Sequence, residues 1–142
     1  MYFNQKSILA ADYLRVSRED GDKLESDSIR NQRSLINDFV KQHPEITLVD
    51  EYVDDGYSGT NFERPAFKRL LEAVKKKKIN CIIVKDLSRL GRNYIETGRY
   101  LEKIFPFLGV RFIAVTDHYD SAAESDDADQ IIVPFKNLIN DA

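Results

Sequence analysis

Ser17 stands two residues after Arg15, and Leu87-Ser88-Arg89-Leu90-Gly91-Arg92 adds two guanidiniums three positions apart. Unpaired arginines are costly to gather unless an anion sits among them, and their planar forks suit oxygens placed for bidentate contact. Phosphate is the natural guest. A hydroxyl attacking a phosphodiester must lose its proton, the non-bridging oxygens gather charge, and the leaving oxygen must gain a proton. Fixed arginines stabilise that charge without a metal. Arg15, Ser17, Arg89 and Arg92 are therefore the candidate catalytic set, with Arg64, Arg18 and Lys85 as further cationic groups. The two histidines give a Ser-His-Asp arrangement little support: His43 closes a predicted helix and His118 follows a predicted strand.

These residues fall where strands end. Ile8 to Val16 reads as a mostly buried first strand, followed by a polar, loop-like segment through Leu24. Ser26, Asp27 and Ser28 are candidate caps for a helix carrying Ile29, Leu35, Ile36, Phe39 and Val40, ending near His43-Pro44. A second strand, about Thr47 to Val53, runs into the loop chemistry of Asp54-Asp55-Gly56-Tyr57-Ser58-Gly59. Pro65 opens a helix with Phe67, Leu70, Leu71 and Val74 on one face. The apolar run Cys81 to Val84 predicts a central strand buried on both faces. A helix with Leu101, Ile104, Phe105 and Leu108 and a strand from Val110 to Val115 follow. The alternation predicts an α/β fold: a three-layer α/β/α sandwich around a mainly parallel sheet of four to five strands. In such sheets ligands bind beyond the carboxyl ends of the strands, where Ser17, the Asp54–Ser58 loop and Lys85 to Arg92 are expected to meet.

The 142 residues fit one ordinary domain, and 42% apolar with 32% charged residues allows a real core under a polar surface. No run reaches the ~18–20 apolar residues of a membrane span. The amino terminus lacks a signal-peptide pattern, and the lone Cys81, read as an inert core residue, allows neither an internal disulfide nor a cysteine-based zinc site. The reading is a cytoplasmic, reduced protein. A net charge of −3 is too acidic for strong duplex binding by the domain alone, so basic residues must converge on one site or another segment must grip DNA. Lys75 to Lys78 is explained by the dipole at a helix end, with a secondary DNA contact as the other reading. Ala128 to Ala142 reads as the first turns of a helix without a C-terminal stop, which suggests that the natural chain continues.

Four blocks together resemble the serine site-specific recombinases: resolvases, invertases and large serine integrases. Tyr13-Leu14-Arg15-Val16-Ser17 resembles the nucleophile signature, and Ser28-Ile29-Arg30-Asn31-Gln32 the segment whose glutamine approaches the site. Asp55 to Gly59 with Arg64-Pro65 resembles the second block, and Leu87 to Arg92 the third, whose arginines contact the scissile phosphate. The spacing and the Pro134 to Asn140 segment look closest to the large enzymes of mobile elements. Small resolvases carry an aspartate where Ser88 stands, which leaves the general acid and base open.

The resemblance implies a catalytic core over residues 1–127 and, from 128 to 142, the start of a long dimerisation helix, with DNA-binding domains beyond it. It implies a 5′-phosphoserine intermediate, homodimers that pair into tetramers, specific DNA sites as partners, a bacterial or phage source and no metal or other cofactor. This chain alone is then expected to recombine nothing. Tyr13, Gln32, Ser58, Arg64 and Lys85 are the supporting or phosphate-binding candidates. Tyr13 is either packing or part of the site, and Arg64 either binds phosphate or supports its loop. Arg15, a charge within an apolar strand, is either paired with a carboxylate or aimed at ligand.

Three other classes fit parts of the pattern. A metal-dependent nuclease would use Asp12, Asp54, Asp55, Asp86 and Asp117 to hold magnesium, but leaves the arginines unexplained. A phosphoacceptor switch would use Asp54 or Asp55, yet lacks a lysine after its last strand. A silent interaction module of the same fold would not need the serine and arginine set.

Overall fold

The apolar runs and turn residues pair into a five-stranded sheet in the computed structural model, which describes residues 7–17 and 28–123. Strands β1 (Ile8–Val16), β2 (Ile46–Asp55), β3 (Cys81–Val84), β4 (Arg111–Ala114) and β5 (Tyr119–Asp120) lie in the order β2-β1-β3-β4-β5. All pairings are parallel except the short antiparallel edge between β4 and β5. Helix α1 (Ile29–Lys41) connects β1 to β2, and α2 (Pro65–Lys75) connects β2 to β3. After β3 come the single turn α3 (Leu87–Leu90), α4 (Tyr94–Arg99), a wider π-helical turn over Tyr100–Ile104, and α5 (Phe105–Leu108). The wide turn precedes Pro106, which has no amide to return to the carbonyls below; Phe105 N–H reaches back to the Tyr100 carbonyl instead.

Two cores back the sheet. On one face Ala11, Tyr13, Ile82, Val84 and Phe112 pack against Phe67 and Leu70 of α2 and against Leu101 and Phe105. On the other, Ala10, Leu14, Ile83 and Ile113 pack against Ile36 of α1. This is the three-layer α/β/α sandwich that the alternation predicts. β2 is longer than its sequence pattern suggests because its second half faces a helix at alternate positions while remaining polar. The last core strand is shorter, since Val115 already starts a turn. Of the three candidate caps, Ser28 holds α1, accepting from Asn31 N–H at 3.1 Å. The predicted helix over 128–142 and the residues around Arg18 lie outside the described residues.

One irregularity places the site. The β1–β2 register slips between Ala10 and Ala11, which pair with Leu48 and Asp50, so Val49 has no opposite residue. Side chains alternate faces along a strand, so one extra residue exchanges the faces of everything beyond it. Past the bulge Glu51 and Val53 face α1, while Asp54 faces α2 opposite Arg15.

Candidate active site

Arg15 is fully buried, and its guanidinium is spent on main-chain oxygens. Nε donates to the Arg89 carbonyl at 3.1 Å, Nη1 to Tyr57 at 2.9 Å and Nη2 to Ser88. Neither sequence alternative describes this: its partners are carbonyls of two loops rather than a carboxylate, and it does not point at an open ligand site. Burial, then the neighbouring Arg89 and Arg64, push its pKa down to about 10, which leaves it charged at neutral pH. Gly59 is where it is for the same reason: a Cβ there would lie 2.6 Å from Arg15 Nη2.

Arg64 does the same from the other side. It is fully buried, donating to Asn61 C=O (3.0 Å), Arg89 C=O (3.1 Å), Leu90 C=O and the Tyr13 hydroxyl (3.2 Å), with its face 4.4 Å from the Phe62 ring. Of its two open roles, this geometry fits support of the loop. Tyr13 is both packed and wired: its ring meets Phe67 edge-on and its hydroxyl donates to Asp54 at 2.7 Å. Burial drives the Tyr13 pKa up, so the phenol keeps its proton.

Asp54 is the residue that the sequence reading assigned elsewhere. Besides Tyr13 it accepts from Ala66 N–H (2.9 Å) and Phe67 N–H (3.0 Å), capping α2 from the neighbouring strand while the N-cap Arg64 offers no side-chain bond. The signal was present in a helix opening at Pro65 without a Ser, Thr, Asp or Asn before it. Asp86 caps α3, accepting from Ser88 N–H (3.0 Å) and the Ser88 hydroxyl, and Asp117 accepts from Leu87 N–H at 2.7 Å. Of the aspartates of the nuclease alternative, Asp54 thus caps α2, while Asp86 and Asp117 hold the start of α3. Among the described residues no three His, Cys, Asp or Glu side chains are grouped to hold a metal ion.

Ser17 follows directly on β1 and is buried. The peptide before it is clamped: the Arg15 carbonyl accepts from Gln32 Nε2 (3.0 Å) and Arg89 Nη1 (2.7 Å), and Arg15 N–H reaches Gln32 Oε1 at 3.3 Å. The Arg89 guanidinium therefore lies at the strand end that Ser17 follows, steadied by Asp86 at 3.4 Å. Arg92 is exposed, with its backbone tied to the Gly59 carbonyl at 2.7 Å. Lys85 is half-buried at the end of β3, 3.9 Å from Asp86. Ser58 closes a local turn with Thr60, donor and acceptor lying 2.8 Å apart. Arg15, Tyr13, Gln32, Arg64 and Arg89 thus form one polar network, with Ser17 next along the chain at the end of β1, Lys85 and Arg92 around it, and Ser58 turned into its own loop.

A strand-end serine with Arg89 beside its strand and Arg92 exposed on the next turn stands at the carboxyl edge of a mainly parallel α/β sheet, where such folds bind their ligands. The chain belongs to the resolvase family: the model of the resolvase N-terminal domain matches residues 10–141. It is a serine recombinase catalytic domain, of a family whose substrate class is DNA. Its fold is similar to the N-terminal catalytic domain of TP901-1 integrase, at 25% identity and TM-score 0.76, covering 94% of this chain and 96% of that one. A resolvase family site-specific recombinase from Streptococcus pneumoniae is similar at 29% identity and TM-score 0.69, covering 94% and 89%. The C-terminal catalytic domain of ISC1926 TnpA, an IS607-like serine recombinase, shares the fold at 22% identity and TM-score 0.62, covering 94% and 80%. Among curated protein sequences nothing matches. No helix among the described residues is long and apolar enough to cross a membrane.

Proposed function

We propose that the chain breaks and rejoins DNA through Ser17, in the integration or excision of a mobile element. The Ser17 hydroxyl attacks the scissile phosphorus and gives up its proton. The bond from phosphorus to the 3′ oxygen breaks, leaving a 5′-phosphoserine link and a 3′-hydroxyl that has gained a proton. Attack by the hydroxyl of another strand reverses these steps. One phosphodiester-type bond is exchanged for another, so neither ATP, a metal nor another cofactor is required.

The observation that carries this reading is the Arg89 guanidinium on the Arg15 carbonyl, two residues before Ser17. A fixed cation there meets the charge that develops on the non-bridging oxygens. Arg92, on the exposed turn behind α3, supplies the second contact when DNA arrives. Arg15, Arg64, Tyr13 and Gln32 act as positioning residues because their polar atoms are committed within the protein, and Lys85 and Ser58 stand at the rim. Homodimers pairing into tetramers on specific DNA sites, through the long helix that the sequence predicts from residue 128, complete the reading, and the cytoplasm is its setting.

The test joins the domain to a sequence-specific DNA-binding module and offers a nicked suicide substrate in excess chelator. A covalent protein–DNA adduct, absent in Ser17→Ala, is the expected result. Free cut ends that need magnesium would overturn the reading.

A further inference from the structure

Asp12 is fully buried, and neither carboxylate oxygen has a hydrogen-bond partner. It lies on the α1 face of β1, opposite Glu51 in the β2 register. From β2 it meets the Glu51 carboxylate; from α1 it meets Arg33, whose fork already holds Glu51 at 2.7, 2.9 and 3.1 Å. From β3 its register partner is Ile83, which brings no charge. Two carboxylates and one guanidinium thus share a site, with the guanidinium committed to the outer acid. Two ionised carboxylates have no donor to place between them, and burying an unpaired charge is costly. A proton removes both difficulties at once.

We infer that Asp12 and Glu51 share a proton across the β1–β2 pair, and that this proton locks α1 onto the strand carrying the nucleophile. The coupling runs through adjacent residues. Arg33, which holds Glu51, is the neighbour of Gln32, which clamps both polar groups of the Arg15 backbone two residues before Ser17. Loss of the proton sets two negative charges against each other beneath α1 and loosens that clamp. The lock is a property of the folded domain and holds whatever reaction Ser17 performs; only its effect on the nucleophile rests on the proposed function.

The direction of the pH effect follows from the sign of the shift. Burial first, and then Glu51, raise Asp12 from 3.8 to about 7. In the unfolded chain it ionises near its ordinary value, so below about pH 4 both states hold the proton and nothing is lost. Between about pH 4 and 7 the unfolded state sheds its proton while the folded state keeps it, and stability falls. Above about 7 both are ionised and the loss is complete, amounting to about a thousandfold in the folding equilibrium constant for three pH units.

The experiment follows the Asp12 side-chain carboxyl carbon by NMR in the intact chain, and measures denaturant unfolding between pH 4 and 8.5. The expected midpoint lies near neutrality. Over the same range the folding constant of Asp12→Asn should lose at least a hundredfold less than that of the parent, with tightened exchange protection at the Arg15 amide above pH 7. Asp12→Asn keeps the shape and supplies a donor to Glu51. If it does not fold, Glu51→Gln provides the second reading: a neutral amide able to donate to Asp12 should lower the Asp12 midpoint by a pH unit or more. An Asp12 carbon that titrates near pH 4 in the parent chain overturns the inference, as does a foldable Asp12→Asn with the parent's pH slope.

Discussion

Neighbouring residues of β1 serve opposite polar environments. On the α2 face, Tyr13 and Arg15 sit in a web where a phenol, two guanidiniums and the Asp54 carboxylate find matched partners. On the α1 face, one residue away, Asp12 lies equally deep with no donor for either oxygen. The contrast separates two uses of a buried charge. In the first, charges tie loops that are distant in sequence into one rigid edge, since Arg15 and Arg64 grip the Ser88, Arg89 and Leu90 carbonyls from both sides of α3. In the second, a charge that cannot be matched makes the fold sensitive to pH.

Removing the hub of the matched web should have the largest effect. Arg15→Ala leaves the Tyr57 and Ser88 carbonyls without their side-chain donor and the Arg89 carbonyl with Arg64 alone, and is expected to destabilise the domain by about 3–5 kcal/mol in urea unfolding. Arg15→Lys should rescue little, because a point charge cannot span that arc. A loss below about 1 kcal/mol would break the comparison, since exposed charges cost that little. Next, Asp54→Ala strips two amides of α2 and the Tyr13 hydroxyl of their acceptor, for an expected loss of about 2–3 kcal/mol. Thermal unfolding at constant pH measures it.

The strand ends, the α2 start at Pro65 and the β3 run Cys81 to Val84 were legible in the sequence because each is a local pattern of apolar spacing or backbone chemistry. So was the meeting of the β1 end with the segment after β3, where Arg89 reaches the Arg15 carbonyl, which follows from the parallel topology. What those arginines do was not legible. An arginine aimed at a phosphate and one aimed at a carbonyl look alike in one dimension, and Arg15 and Arg64 are the latter. The Val49 bulge and the capping of α2 by Asp54 depend on pairing between distant segments, and the two-residue β5 is too short to carry an alternation of its own.

Gln32→Ala sharpens the comparison on a smaller scale. It removes the Gln32 bonds to the Arg15 carbonyl, which keeps Arg89, and to the Arg15 amide, for an expected cost of about 1–2 kcal/mol. Its effect on cleavage should exceed what that stability change explains, and single-turnover cleavage well below the unfolding temperature separates the two. The smallest stability effect belongs to Arg92. Its exposed side chain predicts a change within about 0.5 kcal/mol for Arg92→Ala, while cleavage falls by about 10²–10³-fold. A variant that cuts like the parent would move Arg92 out of the phosphate contact and leave Arg89 to carry it.

The central claim is that the hydroxyl at the end of β1 is the group that DNA becomes attached to. Peptide mapping of the adduct by mass spectrometry, with the polarity of the attached end read from exonuclease sensitivity, tests it most directly. The account predicts a single modified peptide carrying a 5′-phosphate on Ser17 and a free 3′-hydroxyl on the released strand. A 3′-phosphate link, or attachment at Tyr13 or another residue, would contradict it.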